Sequence, residues 1–160
     1  MPTVTTENQT DTKQLIDRII ERHRYEDYAL IGVLQDAQKE LNWLPQDVLK
    51  QIAEKLNIPL SRVYAIATFY KAFSLKPRGK HLVCTCLGTA CHVRGSPRTL
   101  NALEQTLRIK AGETTPNMEY TLETVNCLGA CALGPVVVVD GEYHRQMTPK
   151  KVNSLLKRYS

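Results

Sequence analysis

Two short cysteine loops, CLGTAC and CLGAC, constrain this chain more than any other feature of its sequence. The first holds Cys86 and Cys91 in a C-x4-C spacing, and the second holds Cys127 and Cys131 in a C-x3-C spacing. Each loop contains glycine, which lets the backbone bend tightly around a compact object and turn N–H groups toward it. Four thiolates that meet in one place need a cation to be tolerated. The loops therefore predict a metal centre where they converge.

The cysteine count also indicates the cellular compartment. Five cysteines in 160 residues is an odd number, and the N-terminal stretch MPTVTTENQTDTK lacks the apolar segment of a secretory signal. A disulfide framework is therefore disfavoured. No stretch approaches the ~20 apolar residues of a membrane-spanning helix. We expect reduced thiols, a cytoplasmic location and no membrane span.

Three kinds of centre fit these cysteines, and the spacing ranks them. Structural zinc takes short cysteine knuckles, and its thiolates surround a single ion. A [2Fe–2S] cluster is longer, and each of its irons takes two thiolates. Here the loops are wide, and 35 residues lie between Cys91 and Cys127. The residues alone therefore favour the iron–sulfur cluster, with zinc second and thiols without any metal third.

The pattern of apolar residues divides the chain into a helical part and a mixed part. Residues 1–12 are polar and expected to be disordered, residues 13–76 form a helical region, and residues 77–160 form an α+β domain. The helices of the first part are predicted from Thr12, at Asp27–Leu41, at Gln46–Leu56, and from a cap at Ser61 to Lys71. In the second part, strands are predicted at His81–Cys86, Tyr120–Val125, Val136–Val139 and Glu142–Gln146, and helices at Ser96–Leu107 and from Thr148.

Two long stretches carry a resemblance to a known family. GKHLVCTCLGTACHVRGSPRTL, followed by TVNCLGACALGPVVVVDGEYHRQMTPKKV, resembles the thioredoxin-like [2Fe–2S] ferredoxins. These include the E (24-kDa-type) subunit of NADH:quinone oxidoreductase and its relatives in NAD(P)-linked hydrogenases and electron-bifurcating flavin complexes. The stretch PLSRVYAIATFYKAFSLKPRGKH is similar to the helix and linker before the cluster domain of that family. The implied fold is a thioredoxin-like domain preceded by an N-terminal helical bundle.

The resemblance implies a function as well as a fold. It implies one [2Fe–2S] cluster with Cys86, Cys91, Cys127 and Cys131 as its ligands. The chain would be a one-electron carrier, not catalytic alone, within an NAD(P)H-linked flavoprotein oxidoreductase complex. FMN and NAD(P) would then sit on a partner, the flavin- and NADH-binding subunit, beside further iron–sulfur subunits. The alternative from another class is a zinc-stapled protein interaction module.

Several smaller predictions surround the cysteine loops. Cys84 shares a strand face with Cys86. We expect a small buried side chain there, in preference to a ligand that replaces Cys86 and pairs with Cys91 in a C-x6-C spacing. The resemblance suggests a cis peptide bond at Gly134-Pro135. His92 and Arg94 follow Cys91, where screening of cluster charge and plain solvent exposure fit equally well. N–H groups that offset the cluster charge are expected from Gly88, Thr89, Gly129 and Ala130.

The remaining features weigh against other classes of function. The net charge is +5, but the basic residues are spread out and lack an accompanying aromatic motif, so no nucleic-acid partner is expected. No phosphate-binding glycine loop appears, so the chain itself should bind no nucleotide. The segment Ala67–Tyr70 is predicted to serve helix packing in preference to partner contact. His81 and His144 are expected to be exposed strand residues.

Overall fold

The computed structural model describes residues 6–159, with side chains described at 11–26 and 28–159. The described residues fall into two compact units, 6–77 and 78–159. Within residues 6–159, no helix combines the length and the apolar character needed to cross a membrane.

The described part of the first unit contains four α-helices. They are α1 (Thr6–Arg22), α2 (Leu30–Leu41), α3 (Gln46–Lys55) and α4 (Leu60–Phe69). Apolar stripes on these helices meet in one core, whose fully buried members include Ile16, Ile20, Leu34, Leu49 and Val63. Because the apolar residues recur at helical spacing, each of the four helices buries one face in this core.

The starts of three helices differ from the predictions. Helix α1 begins at Thr6, ahead of the predicted start at Thr12, and residues 1–5 of the expected disordered segment lie outside the described residues. A short 3-10 turn, Asp27–Ala29, replaces the first turn predicted for α2. The predicted cap at Ser61 is wrong: α4 begins at Leu60, with Pro59 before it and no side-chain cap. Proline fits there because a helix start leaves its N–H groups unpaired.

The C-terminal end of α4 corrects one further prediction. Val63 and Ala67 are buried as expected, but Phe69 is 79% exposed and Tyr70 is 43% exposed. Their rings contact each other edge to face, with centroids 5.0 Å apart. Helix packing therefore accounts for only part of the Ala67–Tyr70 segment.

The second unit is built on a sheet that, in the described residues, has four strands in the order β2-β1-β3-β4. They are β1 (His81–Cys86), β2 (Tyr120–Val125), β3 (Val137–Val139) and β4 (Glu142–His144). Strands β1 and β2 are parallel, and β3 runs antiparallel to β1 and β4. The parallel pair requires a helical crossover. Helices α5 (Thr89–Val93) and α6 (Ser96–Leu107) supply it, and α7 (Pro149–Leu156) is the last helix of the described chain.

Alternation along β1 separates the two faces of the sheet. Val83 belongs to the main core of this unit, together with Leu103 of α6 and Leu155 of α7. Cys86 belongs to a smaller apolar cluster with Cys91, against which Cys84 packs. Since successive side chains on a strand point to opposite faces, the cysteines of β1 lie on the face away from the main core.

Two backbone predictions are confirmed in this unit. Asp140 and Gly141 both have positive φ, 50° and 88°, and they join β3 to β4 as a two-residue hairpin turn. The Gly134-Pro135 peptide bond is cis.

Candidate metal centre

The parallel pairing of β1 and β2 brings the two cysteine loops together. Cys86 is the last residue of β1 and lies opposite Val125, the last residue of β2. The ladder continues one step further, because the N–H of Leu87 donates to the carbonyl of Val125 at 2.8 Å. Cys127 follows two residues later. The carboxyl ends of neighbouring parallel strands therefore deliver one cysteine loop each to the same edge of the sheet.

All four predicted cysteines line one cavity of about 600 Å³. The first loop lines it with Cys86, Gly88 and Cys91, and the second with residues 126–131. Short helix α5 follows the first turn and returns Cys91 toward Cys86, whose sulfur hydrogen-bonds the Cys91 thiol. All four residues that the sequence predicts as ligands therefore line the same cavity.

The four thiols differ sharply in exposure. Cys86 is 3% exposed and Cys91 is 2% exposed. Cys127 and Cys131 are exposed. One end of the site is consequently enclosed by the sheet and α5, whereas the other end faces solvent.

Backbone N–H groups point at the sulfur atoms from both loops. Gly88 and Leu128 donate to Cys86, and Val136 donates to Cys91. The N–H of Gly129 lies 3.3 Å from the sulfur of Cys127. Gly88 and Gly129 are two of the predicted donors, whereas Thr89 and Ala130 line the cavity. Donation by Leu128 and Val136 could not be predicted from the sequence, because every non-proline residue has an N–H.

The pKa values of the two buried thiols are shifted in opposite directions. Burial tends to raise the pKa of Cys86, but the N–H groups of Gly88 and Leu128 and the Cys91 thiol bring that pKa below its ordinary value. Burial raises the pKa of Cys91, and its neighbour Cys86 adds to the rise against the N–H of Val136. The thiolate, the form in which a thiol binds metal, is therefore easier to form at Cys86 than at Cys91.

Two glycines shape the loops for different reasons. A Cβ atom at Gly88 would lie 2.7 Å from the carbonyl oxygen of Asn126, so the loops approach too closely there for a side chain. Gly129 has φ of 76°, and a Cβ there would meet nothing within 4 Å. The first glycine permits contact between loops, and the second permits a left-handed bend within one loop.

Four thiols from two loops are the donor set that a two-iron cluster requires. Among the residues whose side chains are described, no three His, Cys, Asp or Glu side chains are grouped as a site for one metal ion. A zinc ion needs its thiolates around one point, whereas a two-iron cluster takes them in pairs. Two cysteine pairs around one cavity, with N–H groups aimed at sulfur, meet the second requirement.

Cys84 lies outside this arrangement. It is half-buried, packs against the small cluster of Cys86 and Cys91, and pairs with Val138 across the sheet. It is absent from the lining of the cavity. That placement matches a strand side chain packed beneath the site.

A second group of polar side chains lies at the opposite end of β1, and it corrects the two histidine predictions. His81 is only 13% exposed at its side chain, and its Nδ1 lies 2.6 Å from the carboxylate of Asp140. His144 bonds the hydroxyl of Tyr159 at 2.9 Å, and that hydroxyl donates to Glu142. Burial and the bond to Glu142 raise the pKa of Tyr159 to about 12. These groups hold Tyr159 against the β3–β4 hairpin.

A family model and two known relatives place this chain in the same family. Residues 16–160 match the family model for thioredoxin-like [2Fe–2S] ferredoxins. The HndA subunit of the NADP-reducing hydrogenase of Solidesulfovibrio fructosivorans is 35% identical over 130 residues, which is 81% of this chain and 76% of that one. The E-type subunit of the NADH-quinone oxidoreductase of Salmonella typhimurium is 39% identical over 141 residues, 87% of this chain and 85% of that one.

A solved structure supports the fold independently. The crystal structure of an NAD+-reducing [NiFe]-hydrogenase in the air-oxidized state matches with a TM-score of 0.72 at 18% identity. The match covers 82% of this chain but only 22% of that one, so the present chain corresponds to a part of the larger protein. The expected fold class, α+β with helices before a thioredoxin-like domain, is confirmed.

Proposed function

Because this chain belongs to the thioredoxin-like [2Fe–2S] ferredoxin family, we propose that it is a one-electron carrier with Cys86, Cys91, Cys127 and Cys131 as the cluster ligands. One observation carries this ligand assignment: the four thiols, which come from two separate loops, line a single cavity. Such a cluster supplies one redox centre, whose negative charge grows when an electron is added.

The residues around the cavity are suited to hold that charge. N–H groups of Gly88, Leu128, Val136 and Gly129 point at three of the sulfur atoms. Because such bonds favour the charged form of sulfur, they stabilise both the metal-bound thiolates and the reduced state. Buried Cys86 and Cys91 exclude water from one end, and exposed Cys127 and Cys131 bring the other end to the surface, where an electron enters or leaves.

The partners in this proposal are other subunits of an oxidoreductase complex. The two relatives are subunits of an NADP-reducing hydrogenase and of an NADH-quinone oxidoreductase. The more specific proposal is a flavin- and NADH-binding subunit that carries FMN and NAD(P), together with further iron–sulfur subunits. This chain alone would then not be a catalyst, and its thiols, in no disulfide among the described residues, suit the cytoplasm.

The first unit offers a surface for such a partner. Phe69 and Tyr70 form an exposed aromatic pair at the end of α4. Exposed aromatic side chains are enriched among the residues that dominate protein interfaces. In this proposal residues 13–76 are a docking domain and residues 77–160 an electron-transfer domain.

A co-purification experiment tests the partner. Tagged chain is isolated from its own cells, and flavin and NADH oxidation are measured in the eluate. We expect Phe69→Ser to reduce both by about tenfold or more, as loss of an interface anchor does. Tyr143→Ser, which alters a half-exposed aromatic of β4, is the matched control and should retain both. Equal retention by the two variants would contradict this docking surface.

Metal analysis tests the cluster itself. Protein purified without oxygen should contain iron and acid-labile sulfide in equal amounts, and should give an EPR signal once it is reduced. Changing Cys86 to Ala should abolish the signal because a buried ligand is lost. A colourless protein with one equivalent of zinc would instead establish the alternative of a zinc-stapled interaction module.

A further inference from the structure

The side chain of Arg94 connects the two cysteine loops. Its Nη1 donates to the carbonyl oxygen of Cys131 at 2.7 Å, across 37 positions of sequence. Arg94 directly follows α5, the helix that contains Cys91. One hydrogen bond from this guanidinium therefore joins the end of α5, which carries Cys91, to Cys131 of the second loop.

The acceptor of this bond is itself part of the candidate site. The carbonyl of Cys131 also accepts the N–H of Gly134 at 3.2 Å, so two donors fix its direction at the start of the 3-10 turn Cys131–Leu133. A Cβ atom at Gly134 would lie 3.0 Å from the sulfur of Cys91 and 3.6 Å from Nη1 of Arg94. The guanidinium and the Cys91 thiol thus flank the same glycine, and Arg94 lines the cavity.

We propose that Arg94 is a positioning residue that closes the second cysteine loop onto the first and places a fixed positive charge beside the redox centre. This inference rests on the proposed cluster function. The second loop needs the hydrogen bond from Arg94 because residues 126–130 belong to no helix or strand and because Cys127 and Cys131 are exposed. Arginine suits the role because it is always charged and donates through a planar fork.

Loss of the Arg94–Cys131 hydrogen bond and loss of the Arg94 charge should have different consequences. Loss of the bond to Cys131 frees the exposed loop, so the cluster should be lost faster to a chelator. Loss of the charge makes an added electron less favourable, so the reduction potential should fall. Arg94 is exposed, so its charge is partly screened, and the fall should be larger at low ionic strength than at high ionic strength.

Three substitutions of Arg94 separate these consequences in the full chain. Arg94→Lys keeps the charge but loses the fork, Arg94→Gln keeps an N–H donor but loses the charge, and Arg94→Ala loses both. Arg98→Gln, at an exposed arginine of α6, is the matched control for removal of one positive charge. Each protein is purified without oxygen, and two quantities are measured: the potential by an EPR-monitored redox titration, and the rate of bleaching by a chelator.

The expected pattern distinguishes the inference from its alternatives. Arg94→Gln and Arg94→Ala should have lower potentials than wild type, whereas Arg94→Lys and Arg98→Gln should retain the wild-type potential. Bleaching should be severalfold faster in Arg94→Ala and less affected in Arg94→Gln. The inference is overturned if Arg94→Gln and Arg94→Ala match wild type in both quantities, or if Arg98→Gln lowers the potential as much as Arg94→Gln. A wild-type chain without any cluster would refute the proposed function instead.

Discussion

The two cysteine loops contain similar residues, yet the structure supports them in different ways. The first loop continues from β1 into α5, and both of its cysteines are almost fully buried. The second loop has exposed cysteines and is shaped by a left-handed glycine and by contacts to the first loop. One half of the site is therefore built by the sheet and its crossover helix, and the other half is completed by local conformation. Similar sequence motifs need not make equally rigid halves of a site.

The sharpest test of this contrast replaces one cysteine from each loop by serine. Cys86→Ser should abolish the cluster, because a buried hydroxyl has little room to adjust and no water can take its place. Cys127→Ser should retain part of the cluster with an altered EPR signal, because this position is open to solvent and its loop can move. Iron content and reduced EPR spectra measure both effects. Equal loss in the two variants would remove the proposed difference between the loops.

A second test adds one methyl group where the loops touch. In Gly88→Ala the new Cβ would lie 2.7 Å from the backbone oxygen of Asn126, so one loop must shift. Overpacking of this kind costs roughly 1–3 kcal/mol, and we expect a decrease of that size in the free energy of unfolding. Iron content should fall with it. Denaturant titration measures the stability, and an unchanged midpoint would show that the loops tolerate separation.

A third test places the same methyl group within the second loop. Gly129 has φ of 76° and no neighbour within 4 Å of a Cβ, so Gly129→Ala should cost only about 1–2 kcal/mol of backbone strain. Gly112→Ala is the matched control, because φ is 91° there and the space is equally open. Both variants should lose similar stability, but only Gly129→Ala should bind less iron. Equal iron content in the two would indicate that this bend does not shape the site.

The smallest effect is expected at Cys84. Cys84→Ala removes one sulfur atom from a half-buried strand position outside the cavity lining, so the free energy of unfolding should change by about 1 kcal/mol or less. Iron content should stay at the wild-type level. If this variant loses iron as Cys86→Ala does, the ligand set includes the wrong cysteine of β1.

The sequence predicted the framework of the site better than its detail. The bounds of β1 and β2, and the hairpin turn at Asp140-Gly141, follow from alternation and turn chemistry, which are local properties. Helix α5 was missed because five residues are too few to show a helical period. The cap predicted at Ser61 failed because Pro59 already begins the turn.

The difference in burial between the two cysteine loops could not be predicted from the sequence. Burial of Cys86 and Cys91 depends on what the fold places over them, and nothing in CLGTAC or CLGAC distinguishes the buried pair from the exposed pair. Donation by Leu128 and Val136 depends on backbone direction, which side-chain identity does not specify. The hydrogen bond from Arg94 to the carbonyl of Cys131 likewise joins residues that are far apart in sequence and become neighbours only in the fold.

The most direct measurement is a crystal structure of the wild-type chain grown without oxygen, with anomalous data collected at the iron absorption edge. We expect two iron positions in the cavity, one bound by Cys86 and Cys91 and the other by Cys127 and Cys131. A single metal ion bound by all four sulfurs, or iron bound by Cys84, would contradict it.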